Sequence, residues 1–342
     1  MDIPATNRQQ VLAFRQRSLS LHQRLPRSRL VEAAFAGLQD SSPRSAILAL
    51  HARVHDVTPS DWEDHRLVQI WGPRGSDYVV PKKDMAVFTL GRMPRGRSHR
   101  DEIENAVEKV ARVLRRGSSE RRETLYRTRQ FAHDLRLASI SGRILIRWDA
   151  SRISWWTVDP PSCDVEEMRL ELARRFLRSL APTAPAGFAR WAGVALSDAQ
   201  HTFGSLEPEL SEVRLAGRPS WALKDDLSDL ERSLTTDSVR LLPAGDPYLC
   251  AADRDLLVPQ ARLRALLWPK SVWPGALLTR GELAGTWRRQ QGRVIIHPWR
   301  RISRAEKEAV GGEVETLPLD SETKSVRWER SSTLDLAPRP VS

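Results

Sequence analysis

The sequence predicts an α+β fold of tandem winged-helix domains followed by a small C-terminal β-barrel-like domain. Three observations carry this expectation. Capped stretches with helical apolar spacing, each run closed by a strand–turn–strand segment, recur three times before Val239. The strands of those segments alternate apolar and polar residues across turns rich in Gly, Pro and Asp. Beyond Val239 the pattern changes to closely spaced short strands.

Residues 1–29 carry six arginines, Arg8 to Arg29, against the single acid Asp2, and read as a basic arm or an opening helix. A first winged helix is expected over 30–95. Leu30 to Leu38 has helical spacing, and Ser42-Pro43 is an N-cap and first-turn pair for a helix bearing Ile47, Leu50 and Val54. Ser60-Asp61-Trp62-Glu63 matches a capping box for a third helix. Val68 to Trp71, a turn at Pro73-Arg74-Gly75 and Tyr78 to Val80 then supply the hairpin wing. The second unit, 96–160, opens at Ser98-His99-Arg100-Asp101 with Ile103, Val107, Val110 and Leu114 on one stripe. Ser118-Ser119 opens its next helix, with Leu125, Phe131 and Leu135. Its hairpin runs from Arg143 to Trp148 and from Ile153 to Val158. The third unit, 161–236, has Met168, Leu172 and Phe176 on a helix after Asp164, and a capping box at Ser197-Asp198-Ala199-Gln200. Its hairpin lies between Leu210 and Trp221 and turns at Gly217. A β-rich domain follows over 237–335, with strands at Ala276 to Thr279, Glu282 to Arg288 and Arg293 to Pro298. Residues 336–342 read as a tail.

Composition bounds the partner. The 342 residues include 54 Lys and Arg against 43 Asp and Glu, a net charge of +11. Such an excess favours a polyanion, because each cation placed on a phosphate releases condensed counterions. Arginine density peaks from Arg92 to Arg129, where 12 basic residues face 6 acidic ones. Two distant cysteines give neither a disulfide framework nor a zinc knuckle. No basic start is followed by an apolar run, and no stretch approaches a membrane span, so a cytoplasmic protein is expected, associated with the nucleoid.

Few groups have spacing suited to chemistry. His51 and His55 stand four apart on a helix, a spacing that can hold zinc, but HARVH lacks the glutamate of a zinc protease motif and has no third ligand nearby. No metal site is expected. No nucleophile elbow, phosphate loop or dinucleotide fingerprint occurs in a suitable context, so no small-molecule cofactor is expected either. Hydrolysis at a nucleotide flipped out of DNA needs none of these.

The blocks GLQDSSPRSAILALHARV from Gly37, LVQIWGPRGSDYVVPKKDM from Leu67, RRFLRSLAPTAPAGFARWAGV from Arg174, VRLLPAGDPYL from Val239 and GELAGTWRRQQGRVIIHPW from Gly281 stand in an order that resembles the AlkZ/YcaQ-type winged-helix DNA glycosylases. The resemblance runs roughly from Leu30 to Leu319. It implies three winged helices shaping a basic concave surface, followed by a β-barrel-like domain; the expected partner is double-stranded DNA, bound by a monomer. It also implies hydrolysis of the N-glycosidic bond of alkylated or cross-linked purines without metal or cofactor. The family's catalytic signature is Gln-apolar-Gln or Gln-apolar-Asp just before the second helix. Aligned on Pro43, this chain has Gln39-Asp40-Ser41, a departure at two of the three places. Gln39 can orient water or stabilise an oxocarbenium sugar, and Asp40 or Ser41 can assist. Equally, Asp40 and Ser42 can simply cap the next helix. Where relatives carry Thr and His, this chain has Ser76 and Asp77-Tyr78. Arg44, Arg74, Gly75, Ser76 and the wing arginines Arg143, Arg147 and Arg152 are the expected DNA contacts. A non-catalytic DNA-binding regulator or damage-recognition protein is the competing expectation.

Overall fold

The computed structural model describes residues 5–42, 44–115, 122–123, 129–149, 153–232, 237–290, 292–319 and 325–329. It is a mixed α+β fold with twelve α-helices and three sheets among those residues. The strand Leu67–Trp71 pairs antiparallel with Asp77–Pro81, and Ile144–Trp148 with Ile153–Thr157. These two hairpins belong to one sheet. Gln69 registers with Ile146, and the two-residue strand Leu38–Gln39 pairs along Asp77–Pro81 at an edge. A second sheet joins Ala5–Thr6 to the hairpin Leu210–Leu215 and Arg218–Leu223. Its turn suits the sequence, since Ala216 and Gly217 both have positive φ, 49° and 77°, the requirement of a tight primed turn. The third sheet is a meander of Arg240–Leu242, Gly275–Thr279, Glu282–Gln290 and Arg293–Pro298, with Ser325–Trp328 added parallel at its edge.

Helices follow apolar spacing more faithfully than capping signatures. Arg97–Arg115 and Val165–Leu180 form as their stripes require, the latter capped by Asp164 on the Glu166 amide. Leu30 to Leu38 is not a helix; only one-turn 3-10 segments at Arg27–Arg29 and Glu32–Ala34 form before the edge strand. The Ser60 capping box also fails. Asp61–Glu63 is a single 3-10 turn, and the Asp61 carboxylate accepts from the Thr58 amide instead. Ser197 is not a cap either, because the helix Leu196–Ser205 starts before it. Ser303 does form its box with Glu306, at the head of Arg304–Glu315. Ser118, Ser119 and Leu125 lie outside the described residues.

The N-terminal segment is bound to the body. Arg8–Ser18 is a helix with an Asn7–Gln10 capping box. Arg15, 1% exposed, forks onto Asp253 at 2.9 and 2.7 Å, Arg8 pairs with Glu282, and Arg24 pairs with Glu313. Much of its basic charge is thus neutralised within the fold. The largest apolar core includes Phe176, Phe188, Trp191 and Phe203. There Phe176 and Trp191 lie 5.2 Å apart between centroids, in a tilted arrangement. In the second hairpin, strand alternation buries Trp155 and leaves Trp156 partly exposed. No described helix is long and apolar enough to cross a membrane.

Candidate active site

Gln39 sits where three chain segments meet. It ends the edge strand, opposite Tyr78. Its Oε1 accepts from Arg74 Nη2 at 3.0 Å, its Nε2 donates to Ser41 Oγ at 3.2 Å, and Cys250 Sγ approaches Oε1 at 3.8 Å. The carboxamide is therefore oriented, with its oxygen toward a cation and its NH2 toward a hydroxyl. Gly245, with φ +75°, backs this side chain; a Cβ there would lie 3.0 Å from Gln39 Cδ. Glycine supplies both the positive φ and the clearance.

Arg74 is itself held tightly. It has φ 58°, a left-handed conformation uncommon outside glycine. Its Nη1 donates to the Trp191 carbonyl at 3.0 Å, and its Nη2 also reaches the Tyr78 hydroxyl at 3.3 Å. Gly193 passes so close that a Cβ would meet the Arg74 backbone at 3.0 Å. The aromatic core thus fixes the carbonyl that fixes Arg74, which in turn fixes Gln39. Burial raises the proton affinity of both the Tyr78 hydroxyl and the Cys250 thiol, so both stay neutral at physiological pH.

Asp40 points the other way. It is 2% exposed, its Oδ1 accepts from the Ala46 amide and its Oδ2 from Gln69 Nε2, both at 2.9 Å. It serves the helix Ser45–His51 as its side-chain cap, in place of Ser42. Arg44, in left-handed backbone, occupies the cap position itself, and Pro43 lies outside the described residues. Burial pushes the Asp40 carboxyl up to about 7 and that of Asp77 up to about 6, from 3.8. The native state therefore holds these protons more tightly than the unfolded chain does. Their contribution to stability is fully present below about pH 4 and is lost as pH rises from about 4 to 7. In Asp40→Asn the slope of unfolding free energy against pH should be shallower over that window, with the part due to Asp77 remaining. Urea titrations at pH 5 and pH 8 measure this, and an unchanged slope would refute it.

The expected DNA contacts separate into groups. Arg44 and Arg147 both stack on Trp62, with guanidinium carbons 4.3 and 4.0 Å from the ring centroid, and Arg147 also pairs with Glu63. Arg143 pairs with Glu104 at 3.2 Å. Gly75 and Ser76 close the hairpin turn through their amides, onto Gly72 and Pro73 carbonyls. Arg74 faces Gln39. Arg152 lies outside the described residues. His51 is buried against Thr316 and Arg24 whereas His55 is exposed, so they do not form a pair of ligands. No cluster of metal-ligating side chains occurs among the described residues.

Sequence reasoning missed Tyr78, Gly245 and Cys250 as neighbours of Gln39. Cys250 stands 211 positions away, and no local pattern signals such a contact.

This architecture belongs to a known class. Residues 33–318 match the family described as DNA glycosylase AlkZ-like, and the chain belongs to that family. Among solved structures it is similar to the Streptomyces sahachiroi DNA glycosylase AlkZ. The TM-score is 0.75 at 16% identity, over 96% of this chain and 100% of that one. No curated protein sequence matches.

Proposed function

We propose that the chain is a monofunctional DNA glycosylase that removes alkylated, including cross-linked, purines from double-stranded DNA, with Gln39 at the reacting centre. The observation that carries this reading is the Gln39 carboxamide fixed between Arg74 and Ser41 at a meeting point of three segments. A purine alkylated on N7 carries positive charge, so it departs as a neutral base when the C1′–N9 bond breaks and N9 takes the electron pair. An oxocarbenium-like sugar remains, and water adds at C1′ and releases a proton. The fixed Gln39 carbonyl dipole stabilises the cation and, with Ser41, orients the water. Asp40 acts as a positioning residue, holding the loop from behind. Because the lesion supplies the charge, the scheme needs no metal or cofactor. Three winged helices, with Arg44, Arg143 and Arg147 toward the backbone, present DNA to this centre, and the protein works as a cytoplasmic, nucleoid-associated monomer.

A non-catalytic damage-recognition role has one observation in its favour: both Asp40 oxygens are engaged by Ala46 and Gln69, away from Gln39. Incubation with duplex DNA bearing N7-methylguanine, followed by alkali, separates the two. Strand breaks at the lesion are expected. Tight, salt-sensitive binding without abasic product at enzyme excess would establish the second role.

A further inference from the structure

Three arginines from separate parts of the chain converge beside Cys250. Arg74 comes from the first hairpin turn, with Nη2 3.8 Å from the thiol sulfur. Arg190 lies exposed on the helix Pro185–Ala192, and its Nη1 donates at 3.4 Å to the carbonyl of Ala252, two residues past the cysteine. Arg254, half-buried, lies over two rings, 4.8 Å from the Trp268 centroid and 5.0 Å from that of Trp273. Among the described residues no carboxylate pairs with any of the three. The contrast with Arg8, Arg15 and Arg24, each in an ion pair, is sharp. Burial, with Arg190 and Arg74 nearby, pulls the Arg254 guanidinium below its ordinary range. The half-buried thiol stays protonated and brings no compensating charge. Three unpaired, mutually repelling cations are an incomplete arrangement that an anion completes.

We propose that Arg190 and Arg254, backed by Arg74, form a binding subsite for a DNA phosphodiester immediately beside Gln39. The proposal rests on the reading that DNA is opened at Gln39. Its position selects the ligand: Arg74 shares one guanidinium between the cluster and Gln39 Oε1, so an anion held there lies a side chain's length from the sugar under attack. Arg44, on Trp62, stands on the loop that follows Gln39. The aromatic cradle under Arg254 limits the rotamer freedom it has to lose on binding.

The test uses the full chain and a duplex containing one tetrahydrofuran abasic residue, with either flanking phosphodiester replaced by a neutral methylphosphonate. In the double variant Arg190→Gln/Arg254→Gln, Kd should rise about tenfold or more, since charge-assisted contacts are lost. The slope of log K against log salt should fall by about 1, for the one phosphate no longer neutralised. The loss should vanish on the duplex whose neutral linkage occupies the subsite, and Arg190→Lys/Arg254→Lys should restore the slope. Equal loss on every duplex, or no loss, would overturn the proposal. Excision is scored separately: binding signatures without abasic product leave the subsite standing and remove the glycosylase reading, whereas excision without the signatures removes only the subsite.

Discussion

Gln39→Ala is expected to lower single-turnover release of N7-methylguanine by roughly 10²–10³-fold, the range for deleting one preorganised electrostatic group. The substitution removes only the carboxamide. The strand pairing of residue 39 with Tyr78 is backbone-mediated, and Arg74 keeps the Trp191 carbonyl and Tyr78 hydroxyl as acceptors. The thermal midpoint should therefore stay near that of the unaltered chain. An excision rate unchanged within twofold would remove Gln39 from the reaction and direct attention to Ser41. Loss of rate together with a collapsed midpoint would mean that Gln39 acts through the fold.

The largest expected effect on stability is at Asp246. Arg53 and Asp246 form a two-pronged ion pair at 2.8 Å for each contact, with both side chains fully buried at 1% and 0% exposure. The same carboxylate caps the turn Pro247–Cys250 through the Tyr248 amide. Asp246→Ala strands a buried guanidinium and loosens the segment that carries Cys250, at a cost of about 3–5 kcal/mol. Urea denaturation followed by tryptophan fluorescence reads this directly. Arg53→Met/Asp246→Leu should recover most of the loss, because the exposed cost comes from the unmatched charge rather than from the missing pair. A single-variant loss below about 1 kcal/mol would show that water reaches Arg53.

What was legible in the sequence follows from the range of the forces involved. The hairpins at Leu67–Trp71 with Asp77–Pro81 and Leu210–Leu215 with Arg218–Leu223 were readable because alternation and turn residues are local properties. The helix Arg97–Arg115 was readable from its stripe. Ser60 and Ser197 misled because a hydroxyl followed three residues later by an acid or amide states a local option that tertiary packing need not take. Gln39 and Ser41 emerged as neighbours in the chain and remain so in space. Asp40 was ambiguous until Gln69 and Ala46 appeared on its two oxygens. Two of the partners of Arg74, Trp191 and Cys250, lie more than a hundred residues away, where no local pattern signals them.

Gln69 gives the six-stranded sheet a property beyond continuity. The two hairpins share a single register pair, Gln69 with Ile146, but the Gln69 side chain accepts from the Trp148 amide at 2.7 Å and donates to the Trp148 carbonyl at 3.3 Å while holding Asp40. One side chain thus supplies the rung that the backbone ladder lacks. Sliding the second hairpin by one residue would break both contacts and turn Trp155 from the core toward water. The side chain acts as a register lock, and the part it keys together with the second hairpin is the loop that bears Gln39.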